Sequence, residues 1–252
     1  MNIYSNENDS AAIFNAIFKY TTRLNDQWHF SMGHRQYLMK YQSLDDYDLM
    51  QMSPFLSIQY RRFPFTLAFN YKPCTDMVNN ASYLTKHRFN TIIKQKIWDE
   101  IDLILSYEYS TEEYDIFPLN DGHRNNFTMK LKYPFSKRII FSSSMTCQDK
   151  HASHAASNYC LIQGEMRLTV NTPMDVKIEL TSKHHRKTYD FSDPVYGAKR
   201  IDKRLNTGFS LIKQINRNVS VSLGGIFLYN DSNVNVFDYH RQISLVTMHF
   251  SL

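Results

Sequence analysis

The chain has 252 residues, a formal net charge of +5, and 14% aromatic residues that include 17 Tyr and 17 Phe. That length suits one large domain. Lys and Arg are scattered along the chain rather than gathered into a nucleic-acid-binding face, and no apolar run approaches the ~20 residues of a membrane helix. A helical membrane protein is therefore excluded and no nucleic-acid partner is expected, whereas many aromatics in a largely polar chain fit a barrel whose lipid face takes only half of each strand.

Taken in order, the chain alternates at period two. Residues 11–24 place Ala12, Phe14, Ala16, Phe18 and Tyr20 on one face and Asn15, Lys19, Thr21 and Arg23 on the other, the signature of a half-buried strand. Asn25-Asp26 makes a turn. Trp28, Phe30, Met32 and Leu38 line a second strand, and the polar run QSLDDYD forms a loop. A third strand over 50–61 carries Pro54, which predicts a bulge or an unpaired position. After Arg61-Arg62 the fourth strand reads Phe63, Phe65, Leu67, Phe69, Tyr71 against Thr66, Asn70 and Lys72, and a loop is expected over 73–81. Alternation is weak over 82–94, the fifth strand. In the sixth it is strongest, with Ile101, Leu103, Leu105, Tyr107 and Tyr109 opposite Asp102, Ser106, Glu108 and Ser110.

A long loop, TEEYDIFPLNDGHRN, precedes the seventh strand (Phe127, Met129, Leu131, Tyr133), and the eighth carries Ile139, Phe141, Met145 and Cys147. The loop QDKHASHAASN leads to the ninth, with Cys160, Ile162, Met166, Leu168 and Val170 on one face. The tenth alternates Val176, Ile178 and Leu180 with polar residues, and HHRKTYDFSDPVYGAK is expected to be a long loop. The eleventh sets Leu205, Phe209 and Leu211 against Arg200, Asp202, Arg204, Asn206 and Ser210. The twelfth runs from Val219 to Asn230, and the thirteenth ends the chain with Val246, Met248, Phe250 and Leu252 on one face.

Strands recur about every nineteen residues, and short connections alternate with longer ones, as in outer-membrane barrels with tight periplasmic turns and long outer loops. A soluble sandwich has strands of roughly five or six residues, shorter than these. The reading is an all-β, antiparallel up-and-down transmembrane β-barrel, 1–252 forming a single domain, located in the bacterial outer membrane. Thirteen strands are counted where an even number is expected, and the residues after Met1 lack a signal peptide's basic and apolar regions. The expectation is therefore a fourteen-stranded parent whose further strand, and a periplasmic domain, lie upstream.

The C-terminal third carries R-x-D-x-R at Arg200, Asp202 and Arg204, the loop YNDSN at Tyr229 to Asn233, and Y-x-R at Tyr239 and Arg241 before an aromatic-ended strand. Over roughly 195–252 it resembles the barrel of outer-membrane proteins that carry periplasmic tetratricopeptide repeats, among them the surface lipoprotein assembly modifiers. The resemblance implies a fourteen-stranded barrel serving protein or lipoprotein export or surface assembly. Its partners would be outer-membrane lipids, the barrel assembly machinery and an exported protein or lipoprotein. The family's terminal Phe is replaced here by Leu252. A stand-alone porin-like channel for small solutes is the alternative.

Arg200, Asp202, Arg204, Glu165, Arg167, Lys177 and Glu179 are the candidate lumen and selectivity residues. They form either a charged constriction or an interior salt ladder, with charges on neighbouring strands pairing laterally. Tyr71, Tyr107, Tyr109, Tyr133 and Tyr229 are candidates for the interfacial aromatic girdle, and Val246, Met248, Phe250 and Leu252 for the C-terminal assembly signal. His151, His154, His184 and His185 are placed in outer loops. Cys147 and Cys160 flank one loop with matching parity, compatible with a rim disulfide. The three cysteines match no metal spacing, and neither metal nor cofactor is expected. His249 with Ser251, and Asp238 with His240, are the nearest approaches to a catalytic pair; neither has a third orienting group, and the reading is a non-enzymatic protein.

Overall fold

The computed structural model describes residues 11–42, 45–98, 100–192, 195–216 and 219–250. Period-two alternation produces thirteen strands: β1 (Ala11–Arg23), β2 (Trp28–Tyr41), β3 (Leu49–Arg62), β4 (Phe65–Val78), β5 (Ala81–Ile97), β6 (Ile101–Tyr114), β7 (Gly122–Pro134), β8 (Ile139–Ala152), β9 (Tyr159–Asn171), β10 (Val176–Ser192), β11 (Lys199–Gln214), β12 (Val219–Ser232) and β13 (Tyr239–Phe250). Each pairs with the next in sequence order, so one antiparallel sheet curls into a nearly closed barrel. The up-and-down architecture expected from the sequence is the one observed.

The molecule is apolar outside. Among the described residues the buried apolar side chains are only Ala68, Cys74, Leu84 and Val234, whereas Phe69, Phe89, Phe127, Met145, Leu180 and Phe227 lie exposed on the outer wall. An apolar band of that extent is stable only against lipid. The inner wall carries the other half of each strand, and its buried side chains are polar, Ser53, Ser110, Glu112 and Asp202 among them.

Connections at one end are 24–27, 63–64, 98–100, 135–138, 172–175 and 215–218, and at the other 42–48, 79–80, 115–121, 153–158, 193–198 and 233–238. The second end is the longer one and corresponds to the outer side. Its one short member corrects the loop expected over 73–81. There β4 continues to Val78 and turns at Asn79-Asn80, both with positive φ (48° and 60°), which is what a two-residue hairpin turn of the primed type requires.

The connection between β2 and β3 falls where the loop QSLDDYD is expected, whereas three others are shorter than their polar sequences suggest. β6 continues to Tyr114, β8 to Ala152 and β10 to Ser192, so residues read as loop extend the wall. The reason is solvation. Near the outer end of β10 the outward residues are Ser182, His184 and Arg186, all exposed. Above the lipid both faces meet water, and the polar–apolar alternation disappears although the strand does not.

Four outer loops share one construction. Single 3-10 turns at Asp45–Tyr47, Pro118–Asn120, Ala155–Ser157 and Asn235–Phe237 are each followed by Asp48, Asp121, Asn158 or Asp238. The side-chain oxygens of those residues accept the backbone N–H of Tyr41 (2.8 Å), Tyr114 (2.6 Å), Ala152 (2.6 Å) and Ser232 (2.6 Å) at the end of the preceding strand. Short polar side chains close loops in this way because they reach nearby backbone donors.

Besides register shifts in the β4–β5 and β10–β11 pairings, two features mark the wall. The β3–β4 register is interrupted between Met52↔Thr75 and Leu56↔Tyr71, where Pro54 falls opposite Pro73 and neither has an N–H to donate. The unpaired position expected at Pro54 is present. In addition, β1 and β13 both run from the outer end toward the short turns, and no ladder joins them among the described residues.

Candidate functional site

The inner faces of the outer strand extensions bring together the charges of the barrel mouth. Cross-strand register sets Lys86 beside Glu112 and Arg124 beside Lys150. Glu112 is 1% exposed and holds three cations. Lys86 Nζ lies 3.0 Å from Oε1, Lys150 Nζ lies 3.1 Å from Oε2, and the Arg124 guanidinium also contacts Oε1. Tyr114 donates its hydroxyl to Oε2 at 3.3 Å. A buried carboxylate is tolerable only when so partnered, but one negative charge offsets only one of the three cations. Below them, Lys72 and Arg88 face each other across β4 and β5, so the inner wall stays basic.

Beside this cluster a cavity of about 450 Å³ opens at the outer mouth, within the size range of small-molecule sites. Its walls carry Tyr83, Tyr114, Tyr159, Tyr189, Lys150, Lys187 and Arg200, and its rim Asn120, His154 and Ser157. Lys187 Nζ lies 3.8 Å and 4.5 Å from the ring centres of Tyr159 and Tyr189, in the corner between two tilted rings and within cation–π range of both. The two loops of the rim are joined. Ser153 N donates to Asp121 O (2.7 Å), His154 N to Leu119 O (2.9 Å) and Ser157 Oγ to Asn120 Oδ1 (2.9 Å).

The residues singled out from sequence do not form one ring. Arg200 and Asp202 lie at the outer end of β11, bonded through Arg200 Nε and both Asp202 oxygens (2.9 Å each) and Arg200 Nη2 (2.7 Å). Ser232 Oγ donates to the same carboxylate at 2.8 Å, and Arg200 lies 3.4 Å from the Phe237 ring centre. Arg204 lies 5.5 Å from that of Tyr239. Glu165 with Arg167 (3.1 Å) and Lys177 with Glu179 (2.9 Å) sit progressively nearer the short turns.

These pairs correct the expectation of lateral pairing on β9 to β11, because each joins residues i and i+2 on one strand. The lateral neighbours of Arg167 are Ser142 and Thr181, and those of Glu179 are Thr169 and Ser210, so their nearest opposite charge lies along the chain. Glu165 and Asp202 have Lys183 and Lys187 across the ladder but engage Arg167 and Arg200 on their own strands. Lateral pairing occurs instead on β5 to β8, through Glu112 and through Lys94 with Asp102 (3.1 Å).

The candidate girdle tyrosines face outward. Tyr71 stacks on Phe89 (4.8 Å between centres) and bonds to His87 Nδ1 (2.8 Å), and Tyr107 donates to Asn125 Oδ1 (2.7 Å). Tyr109 meets His123 (6.0 Å). Tyr229 is exposed, as are Val246 and Met248. Tyr133 packs on Phe135 at the opposite end (4.7 Å). Phe250 closes β13 opposite Val219, while Leu252 lies outside the described residues.

His151, His184 and His185 belong to strands rather than loops, for the reason given above; His154 alone is in a connection. Cys147 and Cys160 are free thiols. Register places Cys147 opposite Ile162 and Cys160 opposite Asp149, a diagonal relation that does not bring the sulfurs to bonding distance. The Asp238 carboxylate is occupied by Ser232 N–H and is not an orienting group for His240. Ser251 lies outside the described residues, so its pairing with His249 does too.

Sequence reasoning missed Glu112, Lys86, Arg124, Lys150 and Lys187. For Glu112, Arg124, Lys150 and Lys187 the available signal was the density of opposite charges in stretches assigned to loops; Lys86 falls in the fifth strand, where alternation is weak.

Several solved barrels share the fold. The loop-deleted outer membrane protein OmpT of Vibrio cholerae is 6% identical with a TM-score of 0.54, over 96% of this chain and 99% of that one. OccAB4 of Acinetobacter baumannii gives 10% and 0.51 over 92% and 64%, and OccD3 of Pseudomonas aeruginosa 7% and 0.51 over 94% and 68%. The outer-membrane location read from sequence agrees with these neighbours. No curated protein matches the sequence. The family described as "Protein of unknown function (DUF2860)" matches residues 91–251.

Proposed function

We propose, from the premise that the chain belongs to the DUF2860 family and folds as an outer-membrane β-barrel, that it is a channel admitting small anions. The observation that carries this is the cluster in the mouth, where the single buried carboxylate of Glu112 leaves Lys86, Arg124 and Lys150 incompletely neutralised. Rings of charged side chains in a low-dielectric wall select by sign. Purified barrel in planar bilayers under a salt gradient tests it: the zero-current potential should have the sign of anion preference. Cation preference, or no conductance, would overturn the proposal.

A second reading, the membrane part of a protein or lipoprotein export or surface-assembly factor, is favoured by the R-x-D-x-R resemblance around Asp202. Under it the isolated barrel carries no current. In both readings the C-terminal residues Val246, Met248, Phe250 and Leu252 are what the assembly machinery would engage.

We also propose that one further strand stands between β1 and β13. Both edges run the same way, so a single strand of opposite direction is antiparallel to each, and lipid offers no hydrogen bonds to open edges. A strand between them sets the edges about 10 Å apart, too far for a disulfide. In a cysteine-free background, cysteines scanned along β1 and β13 should not cross-link; a direct disulfide would exclude the intervening strand.

A further inference from the structure

The cavity at the mouth carries two kinds of wall that a simple anion filter does not need. One is aromatic: Tyr83, Tyr114, Tyr159 and Tyr189 line one volume, Tyr83 edge-on to Tyr114 and Tyr159 tilted against Tyr189, so that together they form an apolar corner for the body of a ligand. The other is hydroxylic and amidic, with Ser157 and Asn120 on a rim already tied by hydrogen bonds between its two loops. Small-molecule sites pair a largely preformed apolar surface with a few placed polar groups. This cavity has both, and it has cations at its floor.

Lys187 sets the sign. Its cross-strand neighbour Asp202 is engaged by Arg200 and Ser232. Among the described residues Lys187 makes no ion pair, and its ammonium contacts are the two tyrosine rings. Lys150, on Glu112 and 5.0 Å from the Tyr114 ring centre, adds a second cation on the same side. A ligand entering here meets positive charge at one end, aromatic faces along its body and hydrogen-bonding groups at the rim.

We infer that the cavity is a binding site for an acidic sugar: a pyranose ring bearing a carboxylate. The carboxylate meets Lys187 and Lys150, the C–H face of the ring packs beside Lys187 against the exposed parts of Tyr159 and Tyr189, and the ring hydroxyls meet Asn120, Ser157 and the tyrosine hydroxyls. A bare inorganic anion leaves the aromatic walls unused. An aromatic acid uses the walls and the cations but gains no hydrogen bond from the rim. A neutral sugar leaves Lys187 without its counter-charge. The site stands apart from conduction, since binding requires the cavity and not a continuous path.

Calorimetric titration of the folded barrel in detergent, using glucuronate, glucose, benzoate and sulfate as probes, tests it. Glucuronate should bind at least tenfold more tightly than any of the other three. Lys187→Gln should weaken glucuronate tenfold or more, and Tyr189→Leu should weaken it similarly while leaving sulfate unchanged. Lys187→Gln removes a cation from a strand already rich in them, so folding is not threatened. Retention of the heat-modifiable folded band checks both variants, and if one is lost the other carries the test. Glucose binding as well as glucuronate, sulfate matching it with the same dependence on Lys187, or indifference to both substitutions would each overturn the inference. Conductance of the same samples separates the two proposals: binding without current removes the channel and keeps the site, and current without binding does the reverse.

Discussion

Glu112 is the most deeply buried carboxylate among the described residues, and its value lies in the cations it restrains. Glu112→Gln removes the one carboxylate that contacts Lys86, Arg124 and Lys150 together, leaving Asp76 and Asp121 to act on the two lysines from a distance. Breaking a buried ion pair by removing one partner costs about 3–5 kcal/mol, so urea unfolding in detergent should show a loss on that scale. Glu165→Gln, whose carboxylate is 26% exposed and paired with Arg167, should stay within about 1 kcal/mol. In bilayers Glu112→Gln should also strengthen anion preference, since it removes the negative member of the filter. A variant as stable as the parent would show that the three cations are solvated well enough without it.

At the level of the strand, legibility depended on whether the two faces met different solvents. β6 and β12 could be read directly because lipid on one side and the lumen on the other impose alternation on Ile101 to Tyr109 and on Val219 to Tyr229. The same physics hid the upper parts of β8 and β10. There His151, His184 and Arg186 face water from the outer wall, and nothing distinguishes such a segment from a loop until its register is seen. The site was lost with those segments and with the outer ends of β6 and β7, because Lys150 and Lys187 stand on the first two and Glu112 and Arg124 on the others. The shared turn-and-cap construction at Asp48, Asp121, Asn158 and Asp238 was present in the sequence, but the three turn residues differ in every copy and the cap itself is Asn in one.

The boundary between the two regimes can be measured on one strand. Leu180 is 49% exposed on the outer wall with Leu168 and Phe209 as lateral neighbours, so Leu180→Arg should cost about 2–4 kcal/mol. Thr188 has the same outward parity but lies beyond Arg186, and Thr188→Arg should cost less than about 1 kcal/mol, the cost expected near or beyond the interface. Refolding into lipid vesicles at increasing urea reads both. Equal costs would mean that lipid reaches the full height of β10.

For the whole molecule, the extension of the wall above the lipid has an electrical consequence. A transmembrane field falls mainly across the layer that resists ion flow, where an elementary charge gains about 2.3 kcal/mol per 100 mV over the full drop. The mouth cavity, at the level of Lys187 and the joined rim loops, lies outside most of that drop. An anion arriving there from the outer side therefore crosses little of the field. Its occupancy, seen as current block during single-channel recording, should change far less with applied voltage than a blocker seated beside Lys177 and Glu179 near the opposite end. Steep voltage dependence of block from the outer side would mean that the field penetrates the collar, and that the narrowest passage lies above the lipid rather than within it.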